Sequence, residues 1–200
     1  MPKDTFFNLS QEKQERIIES AKAAFSKKRY SAVTIDEIVA LAKIPKGSFY
    51  QYFDNKDDLY KYIFYDVGKD KKEMLLEALD QYGELDFSKM LMKLMNKAYE
   101  FEARDRRIFE LKQRFLNEVP QETKNIILSE LVPATMDLYK QIILKYIQNT
   151  TFREDVDVET AAFILTMVTM HIDQYPSATE VDHSNTLLKV CKILEKGLVK

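Results

Sequence analysis

The sequence predicts an all-α fold, and three observations carry that prediction. Glycine and proline are scarce, at 4 and 5 of 200 residues. Alternating apolar runs bounded by turn residues, the raw material of a sheet, are nearly absent. Apolar residues instead recur every three to four positions, the period of an amphipathic helix. With 46% hydrophobic and 31% charged residues, the composition is that of an ordinary globular protein. It excludes disordered, collagen-like and disulfide-rich chains. The length suits one or two compact units.

The first ten residues hold no apolar core of signal-peptide length. Ser10 then stands as an N-cap before a helix whose Ile17, Ile18, Ala21, Ala24 and Phe25 share one face. A short second helix begins at Thr34, where Thr34-Ile35-Asp36-Glu37 forms a capping box, and runs to about Ala42. A third begins at Pro45, whose fixed φ and missing N–H suit a first helical position, and ends near Phe53. Asn55 caps a long fourth helix with Asp57 and Asp58 in its first turn. Beyond Gly83 the periodicity predicts longer helices over residues 86–105, 106–118, 121–150, 157–175 and 184–199. Pro133 should break or kink the third of these, while Pro120 and Pro176 mark boundaries. Residues 1–54 form a small three-helix head and residues 55–200 a larger helical body, with the helix over 55–82 connecting them.

Composition also limits function. The net charge is −2, so a nucleic-acid partner cannot be argued from bulk charge, only from local placement. The lone cysteine, Cys191, suits a reducing compartment. Two histidines and one cysteine leave few participants for triad chemistry, and no glycine-rich phosphate loop is present. His183 and Cys191 with Asp182 do not match a usual zinc spacing. No enzyme, metal site or cofactor is expected. The longest mainly apolar run, residues 161–172, is interrupted by Thr166, Thr169 and His171 and is too short to span a bilayer. The expectation is a soluble, cytoplasmic protein.

The two short helices joined by Lys43-Ile44 describe a helix-turn-helix. At about 100° per residue, Phe49 and Phe53 share the inward face of the second. Gly47, Ser48 and Gln51 point the opposite way, with Lys46, Tyr50 and Tyr52 at its start and flanks. A helix that lies in a major groove needs nothing bulky at its centre, donors and acceptors towards base edges, and cations or hydroxyls beside the backbone. Gly47 allows close approach, and Ser48 and Gln51 are the candidates for base contact. Lys43, Lys46 and Lys56 cluster around this helix. Lys27-Lys28-Arg29 closes the first helix, a place where bases also complement the dipole.

The stretch from Glu15 to Asp66, centred on TIDEIVALAKIPKGSFYQYFDNKDDLY, resembles the DNA-binding domain of TetR/AcrR-type transcriptional regulators. Lys46-Gly47-Ser48-Phe49-Tyr50-Gln51-Tyr52-Phe53 and Lys56-Asp57-Asp58-Leu59 match the family pattern in order and spacing. The resemblance implies phosphate contacts from Thr34, Lys46, Tyr50, Tyr52 and Lys56, and base contacts from Gly47, Ser48 and Gln51. Lys43 stands where the family usually has a turn glycine, and Pro45 where it usually has Ser or Thr. A left-handed Lys43 would cost on the order of 1 kcal/mol.

The resemblance further implies a homodimer through the last two helices, a double-stranded DNA operator, and a small-molecule effector that releases a repressor. The same features would serve an activator, and a helix-turn-helix that binds protein is a further reading. The sequence independently predicts a helix over 157–175 that is apolar nearly all round, as Phe163, Ile164, Leu165, Met167, Val168, Met170 and Ile172 lie along it. Such a helix must be covered on every side. Phe163, Met170, Leu187, Cys191, Leu194 and Leu198 are the candidate dimer contacts. The middle helices are rich in methionine and aromatics, which suits a pocket for an apolar or aromatic effector. Met92, Met95, Tyr99, Phe109, Met136, Tyr139, Met167 and His171 are its candidate lining, although plain core packing is the better reading for any one of the methionines and aromatics, and a hydrogen-bonded core or interface histidine for His171.

Overall fold

The computed structural model describes residues 1–149, 152–172 and 180–198, the side chains of 180–187 excepted. The described residues form α1 (Asp4–Phe7), α2 (Gln11–Lys27), a 3-10 turn (Tyr30–Ala32), α3 (Ile35–Ala42), α4 (Lys46–Tyr52) and α5 (Lys56–Tyr82). Then follow α6 (Phe87–Arg104), α7 (Arg106–Glu118), α8 (Gln121–Gln148), α9 (Val158–His171) and α10 (Glu180–Leu198). No strand occurs among them. The expected helices form among the described residues, with residues 150, 173–175 and 199 of the expected helices lying outside them, and several differences stand out. α1 was not foreseen. Pro133 lies inside α8 without ending it. The carbonyl it deprives of a donor belongs to Ser129, which is exposed and open to water. α10 starts at Glu180, four residues before the expected 184.

Two compact units are present: Met1–Asp70 with Phe101–Glu130, and Lys71–Glu100 with Leu131–Lys200. The first is held by an aromatic core. Phe6, Phe49 and Phe53 are fully buried, with Phe6 5.1 Å from Phe53 and Phe49 5.5 Å from Phe53 between ring centroids. Phe25, Tyr60, Phe64 and Phe115 continue it, at 4.7, 5.1 and 4.8 Å between successive rings. Ile17, Ile18, Ala21, Ala24 and Phe25 are all buried, as the periodicity requires.

α7 packs across α2, and charges fasten the seam. Arg107 pairs with Glu19 and Asp105, each at 2.6 Å. Arg114 Nε donates to the Ser26 carbonyl at 3.1 Å. The Arg107 guanidinium holds the Asp105 carboxyl below its ordinary value. Lys22, nearly buried, reaches Glu19 at 3.2 Å and Asp66 at 3.4 Å. Burial pushes the Asp66 carboxyl up, and Lys22 opposes that shift.

The second unit closes around Phe87, Met90, Leu91, Tyr139, Ile142, Ile143, Phe152, Leu165 and Cys191. Phe87, Tyr146 and Phe152 form a ring cluster with centroids 5.0 to 5.5 Å apart. The Tyr146 hydroxyl donates to the Leu85 carbonyl. Tyr139 donates to Thr169 Oγ1 at 2.9 Å, and burial raises its phenol to about 12.

The turn after α3 takes the strained form expected of it. Lys43 adopts φ 53° and ψ 48°, the left-handed region. Its N–H donates to the Ala40 carbonyl at 3.3 Å, and the Ile44 N–H to Val39 at 3.1 Å. This is a Schellman motif, with Ile44 and Val39 both buried beside it. Lysine accepts a conformation that glycine adopts freely. Lys43→Gly should therefore stabilise the chain by roughly 0.5–1 kcal/mol, the strain relieved less the extra unfolded-state entropy of glycine. A rise in the urea midpoint at unchanged slope would show it.

Candidate nucleic-acid interface

The Thr34 hydroxyl starts α3 by accepting from the Glu37 N–H at 3.2 Å. The reciprocal half of the expected capping box is replaced: the Glu37 carboxylate pairs with Lys28 at 2.9 Å. α4 begins one residue after Pro45, which is its N-cap rather than its first residue. The Pro45 carbonyl accepts from Ser48 N at 3.0 Å. At the start of α5, Asn55 Oδ1 accepts from Asp58 N at 2.9 Å.

Phe49 and Phe53 are both 0% exposed, so the inward face of α4 is fixed. The opposite side carries exposed Gly47 and Gln51, with Ser48 half-buried beside them and exposed Lys46 at the start of the helix. Tyr50 stands beside them, 46% exposed. Gly47 has ordinary helical φ, and a Cβ built on it would meet nothing within 4 Å. The protein's own packing does not require glycine here; close approach of something from outside would.

Two of the expected phosphate contacts are differently placed. Tyr52 is buried, not flanking. Its ring lies 6.3 Å from Phe6, and its hydroxyl accepts from Lys13 at 3.2 Å. It lies about 60° from Phe49 on the helical wheel, inside the buried arc. Lys56 donates to the Tyr30 carbonyl at 2.8 Å and the Val33 carbonyl at 3.0 Å, with its ammonium 4.5 Å from the Tyr30 ring centroid. Burial lowers its pKa. In this structure it tethers the turn before α3. Lys46 is exposed and pairs with exposed Asp36 at 2.8 Å, which raises the Lys46 ammonium above its ordinary value. Both carboxylate and ammonium face solvent, so a phosphate can take the place of Asp36.

The candidates in the body divide. Met95 and Tyr139 belong to the closed core, and Met92 packs against it. Met136 and Met167 are half-buried, His171 is exposed, and Tyr99 is 37% exposed. Phe109 belongs to the first unit and is 48% exposed. None of the eight lines the two cavities described next. One, of about 290 Å³, lies between α9 and α10 among Ile164, Leu165, Ile193, Leu194 and Leu198. The other, about 470 Å³ and polar, is formed by residues 83–86 with Tyr146 and Asn149.

Among the expected dimer contacts, Phe163 is 47% exposed, while Met170, Leu194 and Leu198 are half-buried. Cys191 is the correction: it is 0% exposed and sealed within the second unit's core, where burial pushes its thiol up to about 11. The Leu187 side chain lies outside the described residues. Ile164 and Ile193, not singled out from the sequence as interface, are 42% and 70% exposed. Their signal was present, as apolar residues facing away from the core stripe of their helices.

Residues 17–63 match the family model of the bacterial regulatory proteins, tetR family. The probable HTH-type transcriptional regulator ArpR of Pseudomonas putida is 29% identical over 163 residues, covering 76% of this chain and 74% of its own length. The biofilm operon icaADBC HTH-type negative transcriptional regulator IcaR of Staphylococcus epidermidis is 38% identical over 48 residues, 24% of this chain and 26% of its own. Other curated relatives align over 20% to 50% of their own length. The crystal structure of a TetR family transcriptional regulator from Chloroflexus aurantiacus superposes with a TM-score of 0.59 at 27% identity, covering 100% of this chain and 99% of that one.

The face assignment has separable consequences. Gly47→Ala should leave the chain as stable or stabilise it by up to about 1 kcal/mol, yet weaken duplex binding, as thermal melting and electrophoretic mobility shift would report. Gln51→Ala should relax base preference at one position, costing roughly 1–3 kcal/mol there for a lost bidentate contact. Lys46→Ala should instead lower affinity on all sequences and flatten the salt slope by about one unit. Competition binding across duplex variants separates the two.

Proposed function

The chain belongs to the TetR family of transcriptional regulators, and on that premise we propose that it is a ligand-responsive repressor. It acts as a homodimer in the cytoplasm and releases a pseudo-palindromic operator when a small apolar or aromatic effector binds the body. One observation carries the DNA half of this reading. The two buried phenylalanines leave Gly47 and Gln51 exposed on the outer side of α4, with Ser48 half-buried beside them. Of the phosphate contacts, Lys46 and Tyr50 are exposed for the role, and Thr34 is exposed beside the start of α3. The chain is a regulator, not an enzyme.

The dimer reading is supported by Phe163, Ile164 and Ile193, exposed on α9 and α10 beside an apolar cavity of about 290 Å³. Large apolar side chains exposed in a cluster mark a surface that another protein covers. A second copy gives the two-fold partner that successive major grooves require, with recognition helices about 34–36 Å apart. The effector would enter by parting the methionine-rich core of the second unit, because Met side chains repack at small cost. It would then favour a dimer shape whose spacing no longer matches the grooves. No helix among the described residues is long and apolar enough to cross a membrane. Repression follows from occupancy of a promoter, and the sign is supported by the likeness to IcaR.

Sedimentation and duplex binding test this together. Ile193→Glu with Phe163→Glu should give a folded monomer whose affinity for a palindromic duplex falls at least about tenfold, since it loses one of two half-sites. A dimer that persists in this variant moves the interface elsewhere. A ligand that binds the body should lower operator affinity by about 5- to 150-fold, and DNA should weaken ligand binding by the same factor. A body-binding ligand that leaves operator affinity unchanged removes the effector part.

A further inference from the structure

Base readout by Gln51 depends on the last turn of α4, which also carries Tyr50, a phosphate-contact candidate. A helix of seven residues holds its last turn poorly by itself, since the final four carbonyls have no partner within the helix. Here all four are engaged. The Phe49 carbonyl accepts from Phe53 N at 2.9 Å, the link that closes the helix. The Tyr50 carbonyl accepts from Lys3 Nζ at 2.9 Å, the Gln51 carbonyl from the Thr5 hydroxyl, and the Tyr52 carbonyl from the Lys3 N–H at 2.8 Å. Three of the four donors therefore come from residues 3–5, at the opposite end of the head's sequence.

That segment is anchored. Phe6 is 0% exposed and sits among Phe53, Tyr62 and Tyr52, at 5.1, 5.4 and 6.3 Å between ring centroids. Lys3 also pairs with Asp54 at 2.6 Å, just past the helix end. A cation at a helix C-terminus opposes the negative end of its dipole.

We propose that Lys3 and Thr5 are positioning residues for DNA readout. They tie the carbonyl end of α4 so that Gln51 is held in its reading geometry before any duplex arrives. This rests on the DNA-binding reading above and adds to it a role for a segment outside the helix-turn-helix. Pinning the carbonyls of residues 50–52 pins their φ and ψ, and with them the directions in which the Tyr50 and Gln51 side chains leave the backbone. A frayed turn would have to be ordered on binding, and that ordering is subtracted from affinity. Sequence-specific contacts feel the loss, because they need fixed geometry. Phosphate attraction does not.

Thr5→Val tests this cleanly, since it keeps volume and charge and removes only the hydroxyl. Two probes are used: a duplex recovered from a random library by selection on the wild-type chain, and a scrambled duplex of the same length. Thr5→Val should weaken the selected duplex by roughly 2- to 12-fold, the range one intramolecular hydrogen bond supports. It should leave the scrambled duplex and the salt slope unchanged. Amide hydrogen exchange at Tyr52 and Phe53 in the free protein should accelerate by a similar factor, and Thr5→Ser should restore both readouts. Equal loss on the two duplexes, no loss on either, or unchanged exchange overturns the proposal while leaving DNA binding intact. A wild-type chain that binds no duplex at all removes the DNA reading itself, and the proposal with it.

Discussion

Two phenylalanines four residues apart set the orientation of α4, and the rest of the head is arranged around that fact. Phe49 and Phe53 are buried completely, against each other, and Phe53 also against Phe6. Fully burying a phenylalanine is worth about 1.5–3 kcal/mol. Turning α4 by half a revolution would forfeit both rings and drive Gln51 into an apolar core. The outward face is thus not selected by any contact of its own. It is what remains once the aromatic side has been satisfied, which is why it can be given over to small and hydrogen-bonding residues.

The charges of the head divide into two kinds. Lys46 with Asp36, and Lys28 with Glu37, are surface pairs whose partners can be exchanged at little expense. Lys56 and Lys22 are different: Lys56 binds the carbonyls of buried Tyr30 and Val33, Lys22 is itself buried between Glu19 and Asp66, and their ammoniums hold elements together. Net charge near zero therefore says little about the potential a duplex would meet. Placement decides it, since Lys46 at the start of α4 has a partner it can exchange, while Lys56 and Lys22 are engaged within the fold.

Much of this was legible in the residues. The Thr34 cap, the left-handed Lys43, the burial of Phe49 and Phe53, and the Asn55 cap each follow from local chemistry that acts within a few positions. α1 was not legible, because four residues are too few to show a helical period. Its reason for existing is Phe6, whose partners are Phe53 and Tyr62 far along the chain. Tyr52 was misplaced for a subtler reason. A tyrosine at the edge of an apolar arc serves either as a wet flank or as a buried ring with a hydroxyl partner, and Lys13 supplied that partner. Cys191 shows the same limit in the body: a stripe on α10 reveals which residues are covered, not whether the cover is the helix's own unit or a second copy.

The seam between α2 and α7 bears on how modular the reading head is. Its packing does not stop with residue 54, for the first compact unit also includes Phe101–Glu130. Arg107, held in a fork by Asp105, also pairs with Glu19 of α2, and Arg114 donates to the Ser26 carbonyl of the same helix. A graft of the head onto another scaffold, or its excision as a short fragment, would strip those carboxylates and carbonyls of their cations and bare the rings that Phe115 covers. The transplantable piece is discontinuous in sequence, and a chimera would need to carry both segments to keep its helix-turn-helix in shape.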